Sequence, residues 1–413
     1  MNLDLSEENN LLVSMVEKLL GGAGGVDRLR KLDPGTVDRD LYVQLAEMGI
    51  LTMRALPTEQ GGSALFDTML AMEQAGRHLP RLPLAETIVA ASLLGRSPGD
   101  AAAAWLARIG SGDAVVTLAL HDRAARPDQL VAFGGACDAV IYRQGDGLYL
   151  QEGPLAPVRA DHADQALGRL GATGKPVIEL AQGEPAVTLF SAAVEEWKLL
   201  ISAELWGISA ALLEMASRHA NERHQFDRPI GSFQAISHPL ADRAVDNEAA
   251  RLLGWWTSWL LAEGSSEACA AISMTFAWSV RTADATARRA LHTFGGYGLS
   301  LEHNAQVFFR HAKALPLLLG DPSDEMIRVA DRMWRGETAA LPDGGPCPLS
   351  FGQDRETLAT VADTRAILEP LMTPDLRASL PDSYDGHVPQ VAQALGRAGL
   401  LFSDWPKEWG GRG

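Results

Sequence analysis

The chain has 413 residues, 46% of them hydrophobic, which is long enough to bury more than one core. A formal net charge of −16 opposes any polyanionic surface, so nucleic acid and anionic membrane are excluded as bulk partners. No basic-then-apolar signal pattern follows Met1 and no apolar run of about 20 residues stands out, so the expected location is the cytoplasm.

Helical periodicity runs through residues 1–112, with apolar positions such as Leu41, Leu45 and Met48 and the alanine-rich run Ala101 to Leu106, so an N-terminal helical domain is predicted. Residues 113–191 turn to short β-prone runs, Val115-Val116-Thr117-Leu118, Ala139-Val140-Ile141-Tyr142 and Val187-Thr188-Leu189-Phe190, which predict a reduced middle β domain. Long helical patterns at 195–221, 234–262 and 266–294, and a shorter one at 324–335, predict an antiparallel four-helix bundle over 192–338. The fold class is therefore α+β. Cys137, Cys269 and Cys347 are widely spaced and lack CxxC spacing, so neither a disulfide framework nor a metal site is expected.

Leu341-Pro342-Asp343-Gly344-Gly345-Pro346-Cys347-Pro348 lies within a predicted extended linker, 339–353. Beyond it the chain begins to repeat itself. Pro57 and Gly61-Gly62 recur as Pro406 and Gly410-Gly411 at one offset, and the apolar pattern Leu11, Met15, Leu19 is echoed by Leu358, Val361 and Leu368. A period this long does not fit a solenoid; it fits a tandem copy of a whole unit, with 354–413 as the start of the second and the natural chain continuing into the rest of it.

The segment Glu222-Arg223-His224-Gln225-Phe226-Asp227-Arg228-Pro229-Ile230-Gly231-Ser232-Phe233-Gln234, with Leu240-Ala241-Asp242 beyond it, resembles the signature of the acyl-CoA dehydrogenase family. Thr293-Phe294-Gly295-Gly296-Tyr297-Gly298, followed by Glu302 and Arg310, is similar to a second one. The resemblance implies FAD as cofactor and assigns Arg223, Gln225, Phe226, Ile230, Phe233, Gln234, His292 and Gly296 to the FAD of a neighbouring protomer. The residue types suit that role, since a guanidinium binds pyrophosphate oxygens bidentately and aromatic rings pack on adenine. Taken singly, Arg223 reads as a solvated helix-end charge, Phe226 and Phe233 as core, and His292 as an ordinary bundle histidine.

The departures concern catalysis. Family members abstract the substrate α proton with a glutamate beside the flavin. Counting from Arg310-His311-Ala312-Lys313, the usual position of that base is Leu319; counting back from Glu222-Arg223, the alternative is Trp197. Neither side chain accepts a proton. Glu195 and Glu196 are read as solvated charges. The family's Thr-Glu-Pro-x-x-Gly-Ser-Asp flavin loop has no match in the β region, and Gly21 to Gly25 is no nucleotide fingerprint because no strand precedes it.

The resemblance therefore implies the non-catalytic half of a tandem or heteromeric acyl-CoA dehydrogenase. A second unit, in the same chain or a partner subunit, would act on an acyl-CoA with a bulky group such as a steroid side chain, and pass electrons to an electron-transfer flavoprotein or similar acceptor. A homo-oligomer is expected. The rival readings are a flavin-dependent monooxygenase of the same fold and a non-enzymatic oligomerisation scaffold.

Overall fold

A computed structural model describes all residues except 159–162, 172–173, 354, 381–386, 404 and 412–413. The chain divides into two compact units, Asp4–Leu349 on one hand and Met1–Leu3 with Ser350–Gly413 on the other.

The first unit opens with six helices: α1 (Glu7–Gly22), α2 (Gly25–Leu29), α3 (Arg39–Glu47), α4 (Leu65–His78), α5 (Leu84–Arg96) and α6 (Asp100–Gly110). Sequence-local caps start several of them. The Ser6 hydroxyl accepts from the Asn9 amide at 3.1 Å, and Asp38 accepts from the Leu41 amide at 3.2 Å. The apolar stripe of α1 places Val16 and Leu20 inside, where the helix packs on α4, while Leu11 stays exposed.

Among the described residues, the middle region holds two small sheets. One is four-stranded, in the order β1 (Val116–Leu118), β3 (Ala139–Gln144), β4 (Gly147–Glu152), β7 (Val177–Gln182), with β1 and β3 parallel and the rest antiparallel. The other is three-stranded and antiparallel, with β6 (Gly168–Arg169) between β2 (Leu130–Val131) and β5 (Ala156–Pro157). Ala119, Val131, Val140, Tyr142, Leu155 and Leu170 form one buried cluster drawn from both.

One expected strand is absent. Val187–Phe190 belongs to the first turns of helix α7 (Glu184–Glu222), because Gly183 stands at φ 71 before it and Pro185 sits in its first turn. The strand in this region is instead β7, which ends at Gln182. Helix α7 also corrects the reading of hydropathy. It contains an 18-residue window with mean hydropathy 1.5, apolar enough to cross a membrane, yet 67% of that window is buried within the protein. It is the central core helix.

The bundle continues with a two-strand hairpin, β8 (His224–Gln225) and β9 (Arg228–Pro229), then α8 (Gln234–Ala262), α9 (Ala268–Phe294), α10 (Ala305–Leu317) and α11 (Pro322–Trp334). The sequence reading omits α10, whose glycine-rich approach and internal Pro316 hide its start and end. Helices α4 and α7 cross closely through reciprocal glycines. A Cβ on Gly76 would lie 1.9 Å from the Glu204 carbonyl oxygen, and one on Gly207 would lie 1.9 Å from that of Glu73.

The proline- and glycine-rich stretch before residue 350 is not free chain. Arg54 donates to the Asp343 carbonyl, Leu65 donates to the Gly344 carbonyl at 3.0 Å, and Leu349 is 3% exposed.

In the second unit, α12 (Arg355–Leu368), α13 (Pro374–Ser379) and α14 (Pro389–Arg397) have no buried residue. Residue 354, at its expected start, lies outside the described residues. The repeated segment has the same local structure in both places. Pro57 (φ −56, ψ 149) leads through the 3-10 turn Thr58–Gln60 to Gly61 at φ 93; Pro406 (φ −53, ψ 144) leads through Lys407–Trp409 to Gly410 at φ 88. A Cβ on Gly62 would lie 1.9 Å from the Leu56 carbonyl oxygen, and one on Gly411 would lie 1.9 Å from that of Trp405. The copies differ in cover: Leu51 is fully buried and Leu401 is 44% exposed.

Candidate functional site

The residues that the sequence groups as cofactor ligands come together at one end of the bundle. The His219 ring in the last turns of α7 lies 4.9 Å from that of Phe294 at the end of α9, which brings the hairpin after α7 to the same end as the glycine segment after α9. Arg223, Gln225, Phe226, Gln234, His292 and Gly296 are all exposed, and Ile230 and Phe233 are partly so. Phe226 and Phe233 are not core.

The hairpin turn holds this face in a particular shape. Phe226 and Asp227 adopt φ 53 and 62, the paired left-handed conformation of a tight hairpin turn, which costs energy for residues other than glycine. That conformation projects the Phe226 ring 85% into solvent, where it meets the Phe233 ring edge-on at 6.2 Å. The Arg228 guanidinium stacks 4.0 Å above Phe233. Among the described residues no carboxylate lies within ion-pairing distance of Arg223. An aromatic face with an unpaired guanidinium beside it suits a base and phosphates presented from outside the chain.

The two base positions both lie near Phe276 of α9. Leu319 lines a pocket of about 160 Å³ with Leu120, Val194 and Phe276. Trp197, fully buried one helical turn beyond Val194, packs its ring 6.1 Å from that of Phe276. The Trp197 indole is fixed by donating from Nε1 to the Glu86 carboxylate on α5 at 2.9 Å.

Glu195 and Glu196 are buried, 4% and 3% exposed, and not solvated as the sequence suggests. Consecutive residues of α7 face three different elements, because α7 is surrounded. Arg332 of α11 binds both oxygens of Glu195 at 2.8 Å each, and Lys198 binds Glu195 at 2.9 Å. Arg54 binds Glu196 at 2.9 Å. Burial works against the Glu195 carboxylate, but Arg332 and Lys198 outweigh it and hold its pKa below the usual range.

A third carboxylate, Glu325 of α11, reaches the Leu319 pocket and escapes sequence reasoning entirely. It is held by Lys198 at 3.1 Å, Ser273 at 2.8 Å and Arg328 at 2.8 Å. Glu195, Glu196 and Glu325 are thus each engaged by a cation and Glu86 by the indole, whereas Asp321, which accepts from the Ser323 amide at 2.9 Å, and Asp324 also line the Leu319 pocket and are exposed.

Glu86 and Glu204 have no cation among the described residues. Burial pushes both upward, and burial with the Glu86 charge takes Glu204 up to about 8. The folded state therefore binds more protons than the unfolded chain, so stability is fully present below pH 4.5 and is lost as pH rises towards about 8. Glu204→Gln is expected to flatten the decline in urea midpoint over that interval and raise the midpoint at pH 8; an unchanged pH profile would contradict the assignment.

Six helices, two small sheets and an antiparallel bundle in that order define a three-part fold of the acyl-CoA dehydrogenase type. Residues 187–333, the bundle, match the acyl-CoA dehydrogenase C-terminal domain. The chain is 28% identical to the acyl-CoA dehydrogenase FadE27 of Mycobacterium tuberculosis over 371 residues, covering 80% of this chain and 98% of FadE27. Its fold matches a variant of the Tcur3481–Tcur3483 steroid acyl-CoA dehydrogenase with TM-score 0.71 and 23% identity, covering 80% of this chain and 98% of that one. It also matches the ChsE4–ChsE5 complex of Mycobacterium tuberculosis with TM-score 0.70 and 24% identity, covering 82% of this chain and all of that chain.

Proposed function

We propose that this chain is a non-catalytic unit of an FAD-dependent acyl-CoA dehydrogenase, and that it lends its bundle end to FAD held by a partner unit. The observation that carries this reading is that the two positions where the family places its base hold side chains that accept no proton, Leu319 in the wall of a small pocket and Trp197 buried against Phe276, while the buried carboxylate of that pocket, Glu325, is held by Lys198 and Arg328. The FAD supplies a hydride acceptor when bound to the partner; the residues of this chain only hold and orient it. Arg223 would take the pyrophosphate charge, Phe226 and Phe233 would pack against adenine, and Gln234 would reach its edge. Gln225, Ile230, His292 and Gly296 would complete the contact.

The partner is a second acyl-CoA dehydrogenase unit, either fused or separate. The local repeat at 389–411 favours fusion, and the paired names of the two structural neighbours favour a heteromer. A bulky acyl-CoA, of which a steroid side-chain thioester is an example, is the proposed substrate of that partner, with an electron-transfer flavoprotein or similar acceptor downstream. Arg223→Ala is expected to weaken FAD binding in the assembled protein about ten- to a hundredfold, the effect of removing one charge-assisted contact. Flavin content and dissociation constant unchanged by Arg223→Ala would remove the residue from the cofactor site.

A further inference from the structure

Beside the Leu319 pocket lies a larger cavity of about 580 Å³, open between the loop after β1 and helix α10. Its walls include Pro127, Leu130, Leu167, Ala314, Leu317 and Leu318. Leu318 in turn packs on Phe133 and Ala166 of the β region, so the wall on that side is continuous hydrocarbon.

A cationic group stands at its edge. Arg126 lines both this cavity and the Leu319 pocket, and its Nη1 lies beside Gly320, next in sequence to the base position. A guanidinium thus stands beside the base position, in a pocket whose other charged lining groups include Asp321, Asp324 and Glu325.

Arg126 is also unclaimed by acids. The chain carries a net charge of −16, yet among the described residues no carboxylate lies within ion-pairing distance of Arg126. Its one side-chain partner among them is His121 Nε2 at 3.2 Å. Burial, and then the charge of Arg126 itself, lower the His121 pKa, so the ring is neutral near pH 7 and can accept that bond. A guanidinium has five N–H donors, which leaves most of them for another acceptor. The acid in the cavity wall, Asp128, is taken by Arg169, and the other cation, Lys313, is paired with Asp284.

We propose that this cavity binds an apolar carboxylate, a molecule whose hydrocarbon body fills the pocket and whose carboxylate rests on Arg126. The apolar walls disfavour a phosphate or a free nucleotide, which would leave most of its polar surface without partners. A guanidinium fork matches carboxylate geometry, and an apolar body accounts for the volume. The proposal rests on the reading that this chain does not hold a flavin ring of its own in the cleft.

The test is calorimetric titration of the full 413-residue chain, below the micelle concentration of each ligand, with dodecanoate, cholate, dodecanol, inorganic phosphate and FAD. Dodecanoate and cholate should bind one per chain, dodecanol more weakly, and phosphate not at all. Arg126→Ala should weaken both carboxylates about ten- to a hundredfold and leave dodecanol unchanged. Arg126 is exposed, so that variant should keep its fold, which circular dichroism checks. Leu130→Glu should weaken all three apolar ligands. Carboxylate affinity that does not respond to Arg126→Ala, equal affinity for dodecanol, or no binding by either carboxylate would overturn the proposal. Binding of FAD to the chain alone, with quenched flavin fluorescence, would count instead against the proposed function.

Discussion

Arg332→Ala is expected to lower the unfolding free energy by about 3–5 kcal/mol, the cost of breaking a buried ion pair from one side. The Arg332 side chain is 2% exposed and the Glu195 side chain 5%. Its two terminal nitrogens meet both Glu195 oxygens, and Nη1 also reaches the Cys269 carbonyl at 2.8 Å and the Ser273 hydroxyl at 3.0 Å. Removing it frees a carboxylate that lies between α7 and α9 with only Lys198 left, while Lys198 must still serve Glu325. The measurement is urea unfolding at pH 7, read as a shift in midpoint at constant slope. A loss below about 1 kcal/mol would mean that this cluster behaves as a surface pair.

Leu319→Glu and Trp197→Glu are expected to restore no dehydrogenation, alone or together. A positioned general base contributes about 10²–10⁴-fold, so recovery of even part of that factor would be easy to see. Leu319→Glu places a carboxylate beside the Arg126 guanidinium, which would bind it and suppress its basicity. Trp197→Glu removes the donor that serves Glu86 and puts two carboxylates together in a fully buried site, so this variant should also lose stability. Turnover appearing in Leu319→Glu, measured with an acyl-CoA and a dye acceptor, would show that the pocket is a lightly altered catalytic site.

Much of the architecture was legible because it depends on local pattern. The period of Leu41 and Leu45 gives α3, the glycine and proline around Pro57 give the same turn twice, and α8 begins and ends where its sequence predicts. Val187–Phe190 misleads because β-branched and aromatic residues also fit the first turns of a long buried helix, and the start signal is the Gly183-Glu184-Pro185 step. The pocket was less legible than the bundle end. Signature residues 222–234 are contiguous, so their grouping needs no tertiary knowledge. Lys198 apart, the partners of Glu195, Glu196 and Trp197 (Arg332, Arg54 and Glu86) lie more than 100 positions away in sequence, and no spacing reveals them. Adjacent charges on a helix read as solvated unless the helix is enclosed on all sides, and the clue was the apolar content of α7 as a whole.

The most direct test of the non-catalytic assignment is an anaerobic single-turnover experiment on the unmodified chain, supplied with FAD and a bulky acyl-CoA. Flavin reduction is followed by the loss of its visible absorbance, so no electron acceptor is needed. The chain alone should show no bleaching, and bleaching should appear only when a catalytic partner unit is added. Bleaching by the 413-residue chain on its own would contradict the assignment, and Glu325, the buried carboxylate that lines the pocket with Leu319, would then be the first residue to replace.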